Sequence, residues 1–227
     1  MLSFLVVALA WLVLRRQLGA LEHGTPLALA PKKVHPQLAQ LTSYANRLYA
    51  ERKWNSAEKA YLNVLKLDHK NVTAYTHLGI IYSTQKSMAD AIECFTIAAR
   101  LQATGSTLQN LALAYFDNKN YMKAIATYEK SIMMEPTAQR YVGLGKSNIK
   151  LHNTPAAITA FENAVSLDPN KRNLSALADL YDEAKRASDA LANYERIYQI
   201  DPTDRTAARK LNRPADSPVN LDRKAKP

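Results

Sequence analysis

Between residues 38 and 204, apolar and small side chains recur at i, i+3, i+4 and i+7, the stripe of one helical face, and the whole pattern then repeats. An alanine followed four residues later by an aromatic occurs at Ala57/Tyr61, Ala91/Phe95, Ala124/Tyr128, Ala157/Phe161 and Ala190/Tyr194, at spacings of 34, 33, 33 and 33. Twelve residues before each alanine stands a small residue: Ala45, Gly79, Ala112, Gly145 or Ala178. It is usually preceded by leucine and followed three residues later by tyrosine. A further packing residue comes after each aromatic (Val64, Ala98, Ser131, Ala164, Ile197), and then a chain-reversing end, clearest at Glu135-Pro136, Asp168-Pro169 and Asp201-Pro202.

Each mark has a mechanical cause. A small residue in the first stripe lets a neighbouring helix approach, the aromatic of the second stripe fills the gap, and proline cannot continue a helix, so it opens the next unit. Two helices per repeat follow, at about 38–71, 72–104, 105–137, 138–170 and 171–204. One such pair cannot bury its apolar face alone, whereas stacked pairs share a core.

The chain therefore resembles the tetratricopeptide repeat family, whose W-x2-L-G-x2-Y, A-x3-F and P pattern these residues match. The resemblance implies an all-α, right-handed α-solenoid of about five helix-turn-helix repeats. Departures fall at His69 and Ala103, in place of the terminal proline of the first two repeats, and at Asn148, in place of the tyrosine of the fourth. They are expected to loosen individual turns. Residues 205–212 read as a short capping helix with Thr203 or Asp204 as its cap, and 213–227, with three prolines and no apolar period, as a disordered basic tail.

The amino end has a different character. Residues 1–14, MLSFLVVALAWLVL, carry no charge and run into Arg15 and Arg16. A signal peptide places its positive residues before the apolar run; here the order is reversed, and neither Ala8-Leu9-Ala10 nor Ala28-Leu29-Ala30 makes a convincing cleavage site. The expectation is a retained membrane-anchor segment over 1–21, forming an apolar N-terminal helix, and a Pro-rich linker over 22–37. Positive residues stay on the cytoplasmic side, so Arg15, Arg16, Lys32 and Lys33 place the repeats in the cytoplasm. The run is short, about 21 Å of helix against a hydrocarbon core of about 30 Å. Extension through Leu18, Ala20 and Leu21, an internal start at Met1, and a buried core helix are the competing explanations.

Composition narrows the function. With 47% hydrophobic and 22% charged residues the chain can bury a core. The net charge of +10 would suggest nucleic acid if it lay on the folded part. Residues 38–204, however, hold nineteen basic and seventeen acidic side chains, and the excess sits at the two ends. A basic end beside an apolar segment fits a membrane surface better. An RNA-binding helical array is the weaker reading, since aromatic and basic residues do not interleave.

No catalytic or metal-binding pattern emerges. His23, His35, His69, His77 and His152 do not pair at ligand spacing, and Cys94 lies in a core stripe beside Phe95. Gly143-Leu144-Gly145 lacks the strand and third glycine of a dinucleotide loop. The expectation is a non-enzymatic protein with no metal and no cofactor.

In the family, first helices line a concave groove that accepts a peptide or a partner helix. The corresponding positions here are Asn46 and Tyr49 with Thr42; His77 with Thr73, Thr76 and Ile80; Gln109 and Asn110 with Ser106 and Leu113; Lys146 and Lys150 with Gln139; and Asp179, Asp182 and Glu183 with Arg172 and Ser175. The groove is expected to run from neutral through basic to acidic. The cations of the family's clamp for acidic carboxyl termini are missing, so no such clamp is expected. The resulting expectation is a membrane-tethered scaffold holding an unknown protein partner, with a periplasmic or secreted repeat protein as the alternative if the apolar segment is cleaved or oppositely oriented.

Overall fold

The computed structural model describes residues 36–214. The anchor segment, Arg15, Arg16, Lys32, Lys33, most of the linker and residues 215–227 lie outside the described residues. Eleven helices and no strand occur among those described: α1 (Pro36–Ala50), α2 (Trp54–Leu67), α3 (Val72–Thr84), α4 (Met88–Leu101), α5 (Gly105–Asp117), α6 (Tyr121–Met134), α7 (Ala138–Lys150), α8 (Thr154–Leu167), α9 (Lys171–Glu183), α10 (Ala187–Ile200) and α11 (Arg205–Lys210). None of them is long and apolar enough to cross a membrane. The first described helix opens at Pro36, whose fixed φ suits a first helical position.

The chain divides into two compact units, one ending at Ile81 and the other beginning at Tyr82. In the first, α1 packs on α2 over buried Ala45, Leu48, Ala57, Tyr61 and Val64. In the second, α4 packs on α5 and each following helix packs on the next through to α11. Its largest apolar cluster joins Ala157, Phe161, Leu174, Leu177, Tyr194, Ile197 and Ala207. The small residues act as the pattern requires: a Cβ on Gly145 would stand 2.6 Å from the Phe161 ring, and one on Gly143 would collide with Tyr128. Cys94 is buried.

The turn inside each repeat carries a signal that the hydrophobic pattern does not. Arg52, Lys86, Lys119, His152 and Lys185 all adopt φ between 56° and 63°, with the same 34, 33, 33, 33 spacing as the alanines. Each lets the next amide reach back to a carbonyl five residues earlier, as in Lys53 N–H to Leu48 O and Asn120 N–H to Tyr115 O. This is the left-handed helix stop usually given to glycine, built here from residues that pay a steric cost for it.

The two departures from proline do not loosen their turns. Beside His69, Asp68 accepts from the Lys70 amide and from Asn71 Nδ2, and Asn71 in turn accepts from the Ala74 amide. Beside Ala103, Thr104 and Thr107 bond each other's backbone amides in a capping box. The repeats that keep the proline carry the same kind of bond, Asn170 accepting from the Asn173 amide and Thr137 from the Arg140 amide, so side chains hold these turns with or without the ring. Asn148, which stands for tyrosine, is buried and donates to Leu144 O. Asp204 caps α11 by accepting from the Thr206 and Ala207 amides. The tail does not begin free at Arg213: its guanidinium bonds Glu195, and Tyr198 donates to Pro214 O.

Candidate interaction face

Tyr61, Tyr128, Phe161 and Tyr194 of the second helices pack against first helices, and in two repeats the hydroxyl of this aromatic emerges among the residues singled out as groove positions. In the first unit, Tyr61 of α2 is fully buried along its ring. Its hydroxyl donates to Asn46 Oδ1 at 2.8 Å and meets His77 Nδ1 at 2.7 Å. With the phenolic proton on Asn46, the oxygen accepts from His77 Nδ1–H, which fixes that tautomer and leaves Nε2 as an acceptor. Tyr49 stacks on His77 at 4.4 Å and meets Trp54 edge-on at 5.5 Å. Burial lowers the His77 pKa and raises those of Tyr61 and Tyr49, because removing water favours the uncharged form of each, and the neighbouring Tyr49 raises Tyr61 further. Asn46, Tyr49 and His77 thus form one neutral cluster.

In the second unit, Tyr194 of α10 occupies the equivalent position, but its hydroxyl donates to Asp182 Oδ2 at 2.9 Å and lies 3.4 Å from Asp179 Oδ1. Lys210 of α11 completes the arrangement, with Nζ 2.6 Å from Asp182 and 5.5 Å above the Tyr194 ring. The hydrogen bond from Lys210 holds the Asp182 carboxyl below its usual range, against the opposing effect of burial. The Tyr194 pKa is raised, first by burial and then by its two carboxylates. Glu183 stands apart, on the rim of a cleft of about 450 Å³ shared with Thr154, Glu162 and Arg186.

The middle positions differ again. Gln109 Oε1 accepts from Arg140 Nε at 3.0 Å, Asn110 is half-buried, and Lys146 and Lys150 are exposed along α7. Arg140 was not legible as a functional position. It is 3% exposed, its Nη2 pairs with the Glu135 carboxylate at 2.8 Å and its Nη1 bonds the Glu135 carbonyl. A Cβ on Gly105 would lie 2.7 Å from this guanidinium, so glycine opens the space for it. The equivalent positions in the flanking repeats hold Thr107 and Asn173, and nothing local to Arg140 marks it as buried. Lys210 and Arg213, at positions the sequence marks only as cap and tail, lie on the carboxylates of Asp182 and Glu195.

Of the groove candidates, therefore, Asn46, Tyr49 and His77 are brought together in the first unit, and Asp179 with Asp182 in the second. Gln109 is held by Arg140, and Lys146, Lys150 and Glu183 are left facing solvent. No group of three His, Cys, Asp or Glu side chains able to hold a metal occurs among the described residues.

Helix pairs repeated with this period, aromatics wedged between first helices and polar side chains presented along them define an all-helical repeat protein. Models of the tetratricopeptide repeat match residues 45–106 and 142–205, and a second such model matches 105–137. The chain belongs to the tetratricopeptide repeat family. Similar solved structures include MamA (23% identity, 68% of this chain and 92% of that one, TM-score 0.64). Another is MamA from residue 41 onward of Desulfovibrio magneticus RS-1 (15% identity, 73% and 96%, TM-score 0.67). A third is YrrB, described as a TPR protein with an unusual peptide-binding site (18% identity, 76% and 90%, TM-score 0.63). At these identities the likeness is one of fold. A stretch of 69 residues is 36% identical to the transcription factor tau 131 kDa subunit of Saccharomyces cerevisiae, covering 30% of this chain and 7% of that protein.

Proposed function

We propose that this protein is a non-enzymatic scaffold whose first-helix faces hold a peptide or helix of a protein partner. The observation that carries the reading is the preorganisation of polar side chains by core aromatics: Tyr61 fixes Asn46 and His77, and Tyr194 fixes Asp179 and Asp182. Side chains already held in place lose little entropy on binding. The peptide-binding description of YrrB agrees with this use of the fold. In the first unit, neutral Asn46, Tyr49 and His77 can bond a peptide backbone; in the second, Gln109 and Asn110 can do so, while Lys146, Lys150 and the acidic residues of α9 set register by charge.

The finer part of the proposal is a tether. Residues 1–14, apolar and followed by Arg15 and Arg16, would hold the repeats on the cytoplasmic face of a membrane. One experiment tests both parts: the full chain carrying a carboxy-terminal tag is expressed in cells, fractionated, probed by protease in spheroplasts and used for partner capture. Membrane recovery with a protected tag, and loss of captured protein in Lys146→Glu/Lys150→Glu, are expected. A tag degraded from outside overturns the orientation, and unchanged capture by the variant overturns the assigned face.

A further inference from the structure

The C-terminal end of the second unit repeats one device. Lys210 sits over the Tyr194 ring and on Asp182. Arg213 sits 5.5 Å over the Tyr198 ring and 2.8 Å from Glu195. The two tyrosines are four residues apart on α10, and the two cations are three residues apart, Lys210 closing α11 and Arg213 following it. Two successive seats, each a tyrosine face backed by a carboxylate, thus hold two successive cations of one segment. A tyrosine face attracts an ammonium or guanidinium through its quadrupole, and the carboxylate adds a charge-assisted hydrogen bond.

Neither cation is needed to keep α11 in place. Ala207 and Ala208 are buried to 0% and 2% exposure, Asp204 caps the helix, and Lys171 holds Asp201 and Asp204 at 2.7 and 2.6 Å. The Lys210 and Asp182 side chains, in contrast, are 38% and 33% exposed, so Lys210 can swing into water without unfolding the cap and leave an open seat.

We propose that these two seats are a receptor for a partner segment carrying a Lys-x-x-Arg pair, and that the chain's own Lys210 and Arg213 occupy it as an intramolecular pseudo-ligand that lowers its affinity until displaced. The inference rests on the reading of the repeats as a peptide-holding scaffold and names the chemistry of one of their sites.

The test uses the full chain and a fluorescent twelve-residue peptide with one Lys-x-x-Arg pair, followed by anisotropy at low ionic strength. Lys210→Met/Arg213→Met keeps the apolar stems and removes both charges. It is expected to bind the peptide at least tenfold more tightly than the parent chain, with unchanged helical circular dichroism. Adding Asp182→Asn and Glu195→Gln to that variant is expected to abolish binding, as is replacing both peptide cations by norleucine. Equal affinity of parent and vacated chains, absence of binding to both, or binding that survives Asp182→Asn/Glu195→Gln overturns the proposal. If the methionine variant loses helicity, Lys210→Gln/Arg213→Gln is measured against the same outcomes. Partner capture through Lys146 and Lys150 is read separately, so failure here leaves the scaffold reading standing.

Discussion

Tyr61 and Tyr194 occupy the same place in the repeat and do the same packing, yet they open onto opposite chemistry. The Tyr61 hydroxyl lies between an amide and a neutral imidazole; the Tyr194 hydroxyl lies between two aspartates, with a lysine seated above its ring. The ring is set by architecture and its neighbours by use. In this fold the buried aromatic is a fixed post, and the first-helix residues it bonds are where one repeat becomes chemically different from another.

Removing the posts should have the largest effect and the least contrast. Tyr61→Ala and Tyr194→Ala are each expected to cost about 3–5 kcal/mol in denaturant unfolding, the cost of emptying an aromatic site. Similar values for the two confirm that packing dominates; a large excess for one of them breaks the comparison. The phenylalanine variants sharpen it. Tyr194→Phe removes a hydrogen bond to a carboxylate and should cost about 1–2 kcal/mol, against about 0.5–1.5 for Tyr61→Phe, whose lost partners are neutral. A reversal of that order would show that the charged seat gains nothing from its hydroxyl.

Lys119→Gly serves as a control outside both clusters. Glycine enters the left-handed region freely, and its greater freedom in the unfolded chain takes back part of the gain. Stabilisation of about 0.5–1 kcal/mol is expected, with the Tyr61 and Tyr194 results unaltered in its background. The smallest effects are in pH. His77 has its folded pKa lowered by burial, so its contribution is full above the unfolded value of about 6.5 and is lost as pH falls through that region. Asp182 has its folded pKa lowered by Lys210, so its contribution persists until pH falls below about 3.9. Amide exchange followed from pH 7 to 3 should therefore loosen around α1–α3 first and around α9–α11 only in acid. The opposite order contradicts the assignment of the two environments.

The repeat period, the five alanine–aromatic pairs and the need for a small residue at Gly145 were legible because each is a local pattern repeated in phase. The left-handed turn residues were equally periodic, but lysine, arginine and histidine there carry no sign of positive φ. The caps beside His69 and Ala103 were hidden because the pattern weighs the proline alone, whereas Asn71 and Thr104 bond the amides of the next helix at positions the pattern leaves open. The face was legible as a list of positions and not as clusters: hydrogen bonds from Tyr61 to His77 and from Tyr194 to Asp182 join residues 16 and 12 apart, through a hydroxyl that the pattern treats as interchangeable with the phenylalanine of other repeats. Arg140 was missed because its burial depends on Gly105, 35 residues away.

The most direct test of the recognition face is site-specific photocrosslinking in cells, with a photoreactive residue placed singly in the full chain. Positions 110 and 146, on first helices, are compared with exposed Met133 on a second helix. One common crosslinked protein is expected from positions 110 and 146 and none from 133. A partner captured from 133 and absent from 110 and 146 would contradict it.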